Sequence, residues 1–169
     1  MASVEIRCDS TADIAQPIDV VWQFVVVNFF DNYPRWSPQV RSVRKLTDGP
    51  IAIGTRGHQE RIDHGRRTES YFVVSSFVPR EQICFEGEDY PYRIRYALEP
   101  VDYGTHLTFC FELTSLPGAV RPFRSLVQRV VERTTASVAE DIRELVERRG
   151  SGGVEPATAP YPDGGTRSG

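Results

Sequence analysis

Thr105-His106-Leu107-Thr108-Phe109-Cys110-Phe111-Glu112-Leu113 is followed, after Pro117-Gly118, by a helical pattern that continues to Arg149. In the first stretch Leu107, Phe109, Phe111 and Leu113 alternate with His106, Thr108, Cys110 and Glu112, the period-2 pattern of a half-buried antiparallel strand. In the second, Phe123, Val127, Val130, Val131, Thr134, Val138, Ile142 and Leu145 keep to one stripe with charges elsewhere. One apolar strand face is thus handed to one apolar helix face. A sheet covered by a single long helix either closes on a packed core or curls and leaves a pocket, and function turns on which of the two occurs.

Upstream, Val4 to Ile14 alternates weakly and reads as a strand that ends before Gln16-Pro17. Pro17 suits a first helical turn and Asp19 suits the positive end of a helix. Val20 to Val27 is expected to be a short, mostly buried helix, because a strand here would have no polar face. Asn28 to Pro38, with Pro34 and Pro38, is not expected to form one regular helix and reads as a short helix or a lid-like loop. Strands then follow over 39–46, 54–63, 67–78, 82–86, 92–100 and 105–113, punctuated by Asp48-Gly49-Pro50, His64-Gly65, Pro79-Arg80 and Asp102-Tyr103-Gly104. Short turns make consecutive strands antiparallel. The expected fold class is α+β, a seven-stranded antiparallel sheet with one or two short helices between strands 1 and 2 and a long C-terminal helix.

The 169 residues, 40% of them hydrophobic, suit one domain, expected over 1–149. Residues 150–169 are rich in Gly and Pro, hold too little apolar surface to repay ordering, and are expected to be a disordered tail. Net charge is −3 and the basic residues, all Arg except Lys45, are spread along the chain. That spread offers no cationic block for nucleic acid or anionic lipid. Cys8, Cys84 and Cys110 are odd in number and widely spaced, as expected of reduced thiols packed as small apolar groups. No apolar stretch is long enough to span a bilayer and no signal-peptide pattern opens the chain, so a cytoplasmic protein is expected. His58, His64 and His106 lack metal-ligand spacing, and the glycines form no phosphate cradle, so neither a metal nor a cofactor is expected.

Three segments carry a resemblance: Ile14-Ala15-Gln16-Pro17-Ile18-Asp19-Val20-Val21-Trp22, Asn32-Tyr33-Pro34-Arg35-Trp36-Ser37-Pro38 and Gly54-Thr55-Arg56. Over most of residues 3–149 the chain resembles the SRPBCC superfamily of START, polyketide cyclase and lipid-transport proteins. Pro117-Gly118-Ala119 is similar to the entry to the last helix in aromatic polyketide aromatase/cyclases. The resemblance implies a helix-grip fold, a strongly bent sheet wrapped around the C-terminal helix with a deep cavity between them that opens near the short helices and loops. It speaks for fold more than for activity, because the superfamily hosts enzymes, carriers and receptors.

Within that frame the inward phases are Phe72, Val74, Ile83, Phe85, Tyr92, Ile94, Tyr96, Leu98, Leu107, Phe109 and Phe111, facing Val127, Val130 and Thr134 of the helix. Each is open to two readings, plain core or cavity wall. Periodicity leaves both faces of 54–63 open; the resemblance places Gln59 and Arg61 inward in the phase of Gly57, whose missing side chain leaves space. Arg61 would then hold a ligand carboxylate, phenolate or enolate, while Tyr92 or Tyr96 donates a hydrogen bond to developing negative charge. Tyr33 and Trp36 are either a portal beside the C-terminal helix or a hydrophobic plug. The function expected first is binding of a hydrophobic or aromatic small molecule, polyketide-like or lipid. The alternative is an aromatase/cyclase or dehydratase acting on a poly-β-keto chain, which implies an acyl carrier protein as partner. Monomer and homodimer both remain open.

Overall fold

The computed structural model describes residues 4–151. Seven strands form one sheet: β1 (Ile6–Ile14), β2 (Val40–Lys45), β3 (Arg56–Asp63), β4 (Arg66–Val78), β5 (Gln82–Gly87), β6 (Tyr92–Val101) and β7 (Gly104–Leu113). Their spatial order is β1-β7-β6-β5-β4-β3-β2, and every adjacent pair is antiparallel. Only β1 leaves its neighbour in sequence, because α1 (Ile18–Trp22), a π-helical turn over Gln23–Val27 and α2 (Phe29–Trp36) carry the chain from one edge of the sheet to the other. The helix-grip architecture expected from the resemblance is present.

Register fixes the two faces. Gly57 pairs with Phe72, Gln59 with Ser70, Val74 with Phe85, Ile83 with Tyr96, Ile94 with Phe111 and Tyr96 with Phe109. Because side chains alternate across a strand, these residues share the concave face. Gln59 and Arg61 therefore project from the same face as Phe72 and Phe85. A Cβ on Gly57 would lie 2.2–2.8 Å from the ring of Phe72, so the space freed by the glycine is occupied by that ring. The three cysteines are free and buried, Cys8 on the concave face and Cys84 and Cys110 on the convex one.

One expectation needs correction. The C-terminal stripe is not one helix: α3 (Arg124–Thr135) and α4 (Val138–Ser151) are separated at Ala136–Ser137. Val138, Ala139, Ile142 and Val146 of α4 are buried in the main core, whereas Thr135 is the single buried residue of α3. Val130 and Thr134 are exposed, and Val127 and Val131 pack on a small satellite cluster of Ile6, Cys8 and Leu116. Phe109 instead belongs to the main core, so it does not face Val127, Val130 and Thr134 across a shared interior. α4 continues through Gly150 and Ser151, two residues past the expected end, and the rest of the expected tail lies outside the described residues.

Of the two readings of Asn28 to Pro38, the structure shows the short helix, α2, which is helical through Pro34. Pro34 falls near the end of the helix, where its missing N–H forfeits one backbone bond and the chain then leaves helical geometry at Ser37. What holds the helix is its apolar face. Phe29 stacks on Phe85 with ring centroids 4.4 Å apart, Phe30 lies parallel to Phe72 at 6.1 Å, and Tyr33 stacks on Phe29 at 4.7 Å. Trp36 donates its indole N–H to the Tyr96 hydroxyl at 3.1 Å. These rings fill the concave face at the level of Phe72, Phe85 and Tyr96.

Candidate functional site

The aromatic filling divides the concave face. Beneath α2, Trp36, Phe72, Val74, Phe85, Tyr96 and Phe109 are buried against one another as core, and Tyr33 joins them. Of the portal and plug readings of Tyr33 and Trp36, the packing is that of a plug. Toward the other end of the sheet, where β6 begins and β7 ends, Tyr92, Ile94, Phe111, Leu113 and Arg61 remain partly exposed. This half is bordered by α3, which packs on β1 and β7. Two surface grooves, of about 330 and 390 Å³, lie elsewhere, one on the convex face around Arg95 and one between Gln23 and Arg149.

The partly exposed half carries a polar group set in an apolar wall. Gln59, only 4% exposed, donates from Nε2 to the Ser70 hydroxyl at 3.0 Å and to the Tyr92 hydroxyl at 3.2 Å. Its Oε1 is buried and has no partner. Turning the amide over exchanges the roles without removing the vacancy: Oε1 then accepts from both hydroxyls and the NH2 group is left alone. Such an unmet buried group costs about 1–3 kcal/mol. Sequence alternation brings Gln59 to this face, but nothing in the sequence shows that one end of its amide is unmatched.

Arg61 lies one alternation further along β3, its side chain 23% exposed and its Nε 3.3 Å from Asp63 Oδ2. Burial acts to lower its pKa, but the Tyr33 phenol, the Asp63 carboxylate and Tyr92 outweigh it, and the guanidinium stays charged. Burial raises the Tyr92 hydroxyl far above the ordinary phenol value, and Tyr33 adds to this; Ser70, Arg61 and Gln59 only partly offset it. Tyr96 shifts the same way, through burial and then Tyr33, with its bond from Trp36 opposing. Both phenols therefore stay protonated at neutral pH; their oxygens accept from Trp36 and Gln59 while each keeps an O–H to donate, so neither acts as a base. The structure groups Gln59, Arg61 and Tyr92 with Tyr33 nearby, assigns Tyr96 to the Trp36 bond in the core, and leaves Val130 and Thr134 outside. Ser70, absent from the sequence-based candidates, joins through its register with Gln59; a polar residue in the inward phase of β4 was the available signal.

The family model for polyketide cyclase/dehydrase and lipid-transport proteins matches residues 5–147. The chain belongs to that family. No curated protein matches it in sequence. Among solved structures it is similar to the ZhuI aromatase/cyclase of Streptomyces sp. R1128, at 19% identity and a TM-score of 0.71, covering 88% of this chain and 98% of that one. A Thermus thermophilus protein, TTHA0849, is similar at 15% identity and a TM-score of 0.69, covering 85% and 98%. A START superfamily protein of Mycobacterium smegmatis is similar at 17% identity and a TM-score of 0.65, again covering 85% and 98%. At these identities the likeness is one of fold. For this member of the polyketide cyclase/dehydrase and lipid-transport family, ligand binding or cyclase-type function is supported in general terms. Among the described residues, no helix is long and apolar enough to cross a membrane.

Proposed function

We propose that the chain binds a small, largely apolar molecule bearing oxygen functions, polyketide-like or lipid, against the partly exposed half of the concave face. The observation that carries this reading is the buried, unpartnered end of the Gln59 amide beside the Tyr92 hydroxyl. A ligand oxygen or hydroxyl placed there repays the unmet polar group, and Ile94 and Phe111 receive the apolar body. Displacement of a hydrophobic fluorescent probe, with native mass spectrometry for a co-purified molecule, tests it. Gln59→Leu should weaken ligand binding by about fivefold to a hundredfold, since the ligand's polar group would then be buried without a partner at a cost of about 1–3 kcal/mol. A protein that neither binds the probe nor carries a ligand overturns the reading, and undiminished binding by Gln59→Leu removes the amide from it.

A second reading, aromatase/cyclase or dehydratase chemistry on a carrier-bound poly-β-keto chain, draws on the charged Arg61 and the protonated Tyr92 sharing one neighbourhood. A fixed cation and a phenol donor stabilise an enolate as it forms, and the wall holds the folded chain for aldol closure. An acyl carrier protein would deliver that chain. Arg61→Ala should then keep ligand affinity within a few-fold and lose turnover; equal turnover in the variant rules out this role for Arg61.

A further inference from the structure

The basic residues are spread along the chain as a whole, but four arginines fall within residues 121–133, a local concentration that the overall spread conceals and that revises the expectation of no cationic surface for anionic lipid. Arg121 begins a 3-10 turn, and Arg124, Arg129 and Arg133 follow on α3; Glu132 is the sole acidic residue from 121 to 135. The same segment exposes large apolar side chains: Phe123 at 60%, Leu126 at 59% and Val130 at 45%. Spacings of three and four residues put these three on one side of the helix. The adjoining side, through Val127 and Val131, packs on Ile6, Cys8 and Leu116. Arg129 and Arg133, each three residues beyond Leu126 and Val130, flank the exposed stripe. Arg121 is paired with the Glu5 carboxylate and Arg124 donates to the Glu5 carbonyl, whereas Arg129 and Arg133 make no ion pair among the described residues.

We propose that this face of α3 docks on an anionic lipid surface. A helix with protruding apolar side chains and a guanidinium border matches a bilayer interface, where acyl boundary and anionic headgroup are met together. The internal Glu132 does not cancel this, because Gln128 donates to it and it sits away from the Leu126 and Val130 side. The three apolar side chains of the stripe protrude into solvent, and a fluid surface receives protruding side chains without a shaped partner. Docking would set the partly exposed concave face, bordered by α3, beside the membrane. The inference goes beyond the ligand-binding reading and does not require it.

Co-sedimentation of the full, ligand-free chain with vesicles tests it, so the outcome is separate from any failure of ligand binding. Vesicles of phosphatidylcholine mixed with phosphatidylglycerol should bind the protein, pure phosphatidylcholine should bind it far more weakly, and salt should release it. Arg129→Gln and Arg133→Gln should each lower affinity about fivefold, the equivalent of roughly 1 kcal/mol per basic residue at the surface. Phe123→Asp with Leu126→Asp should abolish binding; both side chains are exposed, and circular dichroism confirms that the variants fold. Absence of binding, equal binding to both vesicle types, or binding unchanged in the variants overturns the proposal. So does capture of the same face by an acidic carrier protein when vesicles fail to bind.

Discussion

Asn32 shows how one side chain licenses an irregular backbone. The π turn over Gln23–Val27 shifts the hydrogen-bond pattern by one residue, so that the Asn28 N–H bonds the Gln23 carbonyl and the Phe24 carbonyl is released from the helical series. Asn32, buried in the core, donates from Nδ2 to that carbonyl at 3.0 Å. Asn32→Ala should therefore destabilise the protein by about 1–3 kcal/mol, measured by chemical denaturation, because it strands a buried carbonyl. A loss within experimental error would mean that the turn does not depend on this bond. At this scale the sequence is uneven as a guide. The alternation through Gly57, Gln59 and Arg61 makes the facing of β3 legible once one residue is placed. The unmatched end of the Gln59 amide is not legible, since it depends on where Ser70 and Tyr92 arrive from two other strands.

Among the elements, α3 and α4 behave as separate pieces despite a continuous apolar stripe in sequence. α4 buries Val138, Ala139, Ile142 and Val146, while α3 rests on the satellite cluster by Val127 and Val131. Local opening follows the amount of buried apolar contact. Amide exchange should thus be markedly faster across 124–135 than across 138–151, as read by hydrogen–deuterium exchange with mass spectrometry; equal protection would contradict the division. The stripe's periodicity could not reveal the break at Ala136–Ser137, because period reports which side chains share a face and not which of them meet a partner. Strands were more readable, since turn residues such as His64-Gly65 mark their ends locally; both residues there have positive φ, 52° and 79°. Pro34 left α2 open between short helix and loop in sequence, and the aromatic packing of α2 on Phe72 and Phe85, which outweighs its local cost, decides for the helix.

For the whole molecule, several protons are held more tightly in the folded state than in the open chain. Burial, with Asp9 adding to it, pushes the Cys110 thiol from its ordinary 9.0 up to about 12. Tyr92 and Tyr96 are raised from 10.0, chiefly by burial. The unfolded chain releases these protons first, so it binds fewer of them than the native state in that window, and stability must fall as pH rises. The denaturation midpoint should decline from about pH 9 through pH 12. Cys110→Ala should flatten the early part and Tyr92→Phe the part above pH 10, and an unchanged profile in both would exclude these groups as the cause. Family and sheet topology were legible at this scale. The filling of half the concave face was not, because it rests on how the rings of Phe29, Phe30 and Tyr33 stack on strands far away in sequence.

The fit between Gly57 and Phe72 has an evolutionary reading. The absent side chain and the ring over it form one unit of volume shared between two strands, so position 57 cannot gain a side chain while the Phe72 ring stays in place. A homologue that acquires Ala or Ser at 57 must carry a smaller or displaced residue at 72, and the aromatic floor beneath α2 opens in proportion. The floor of the concave face under α2 thus depends on this pair as well as on the helix rings stacked above it.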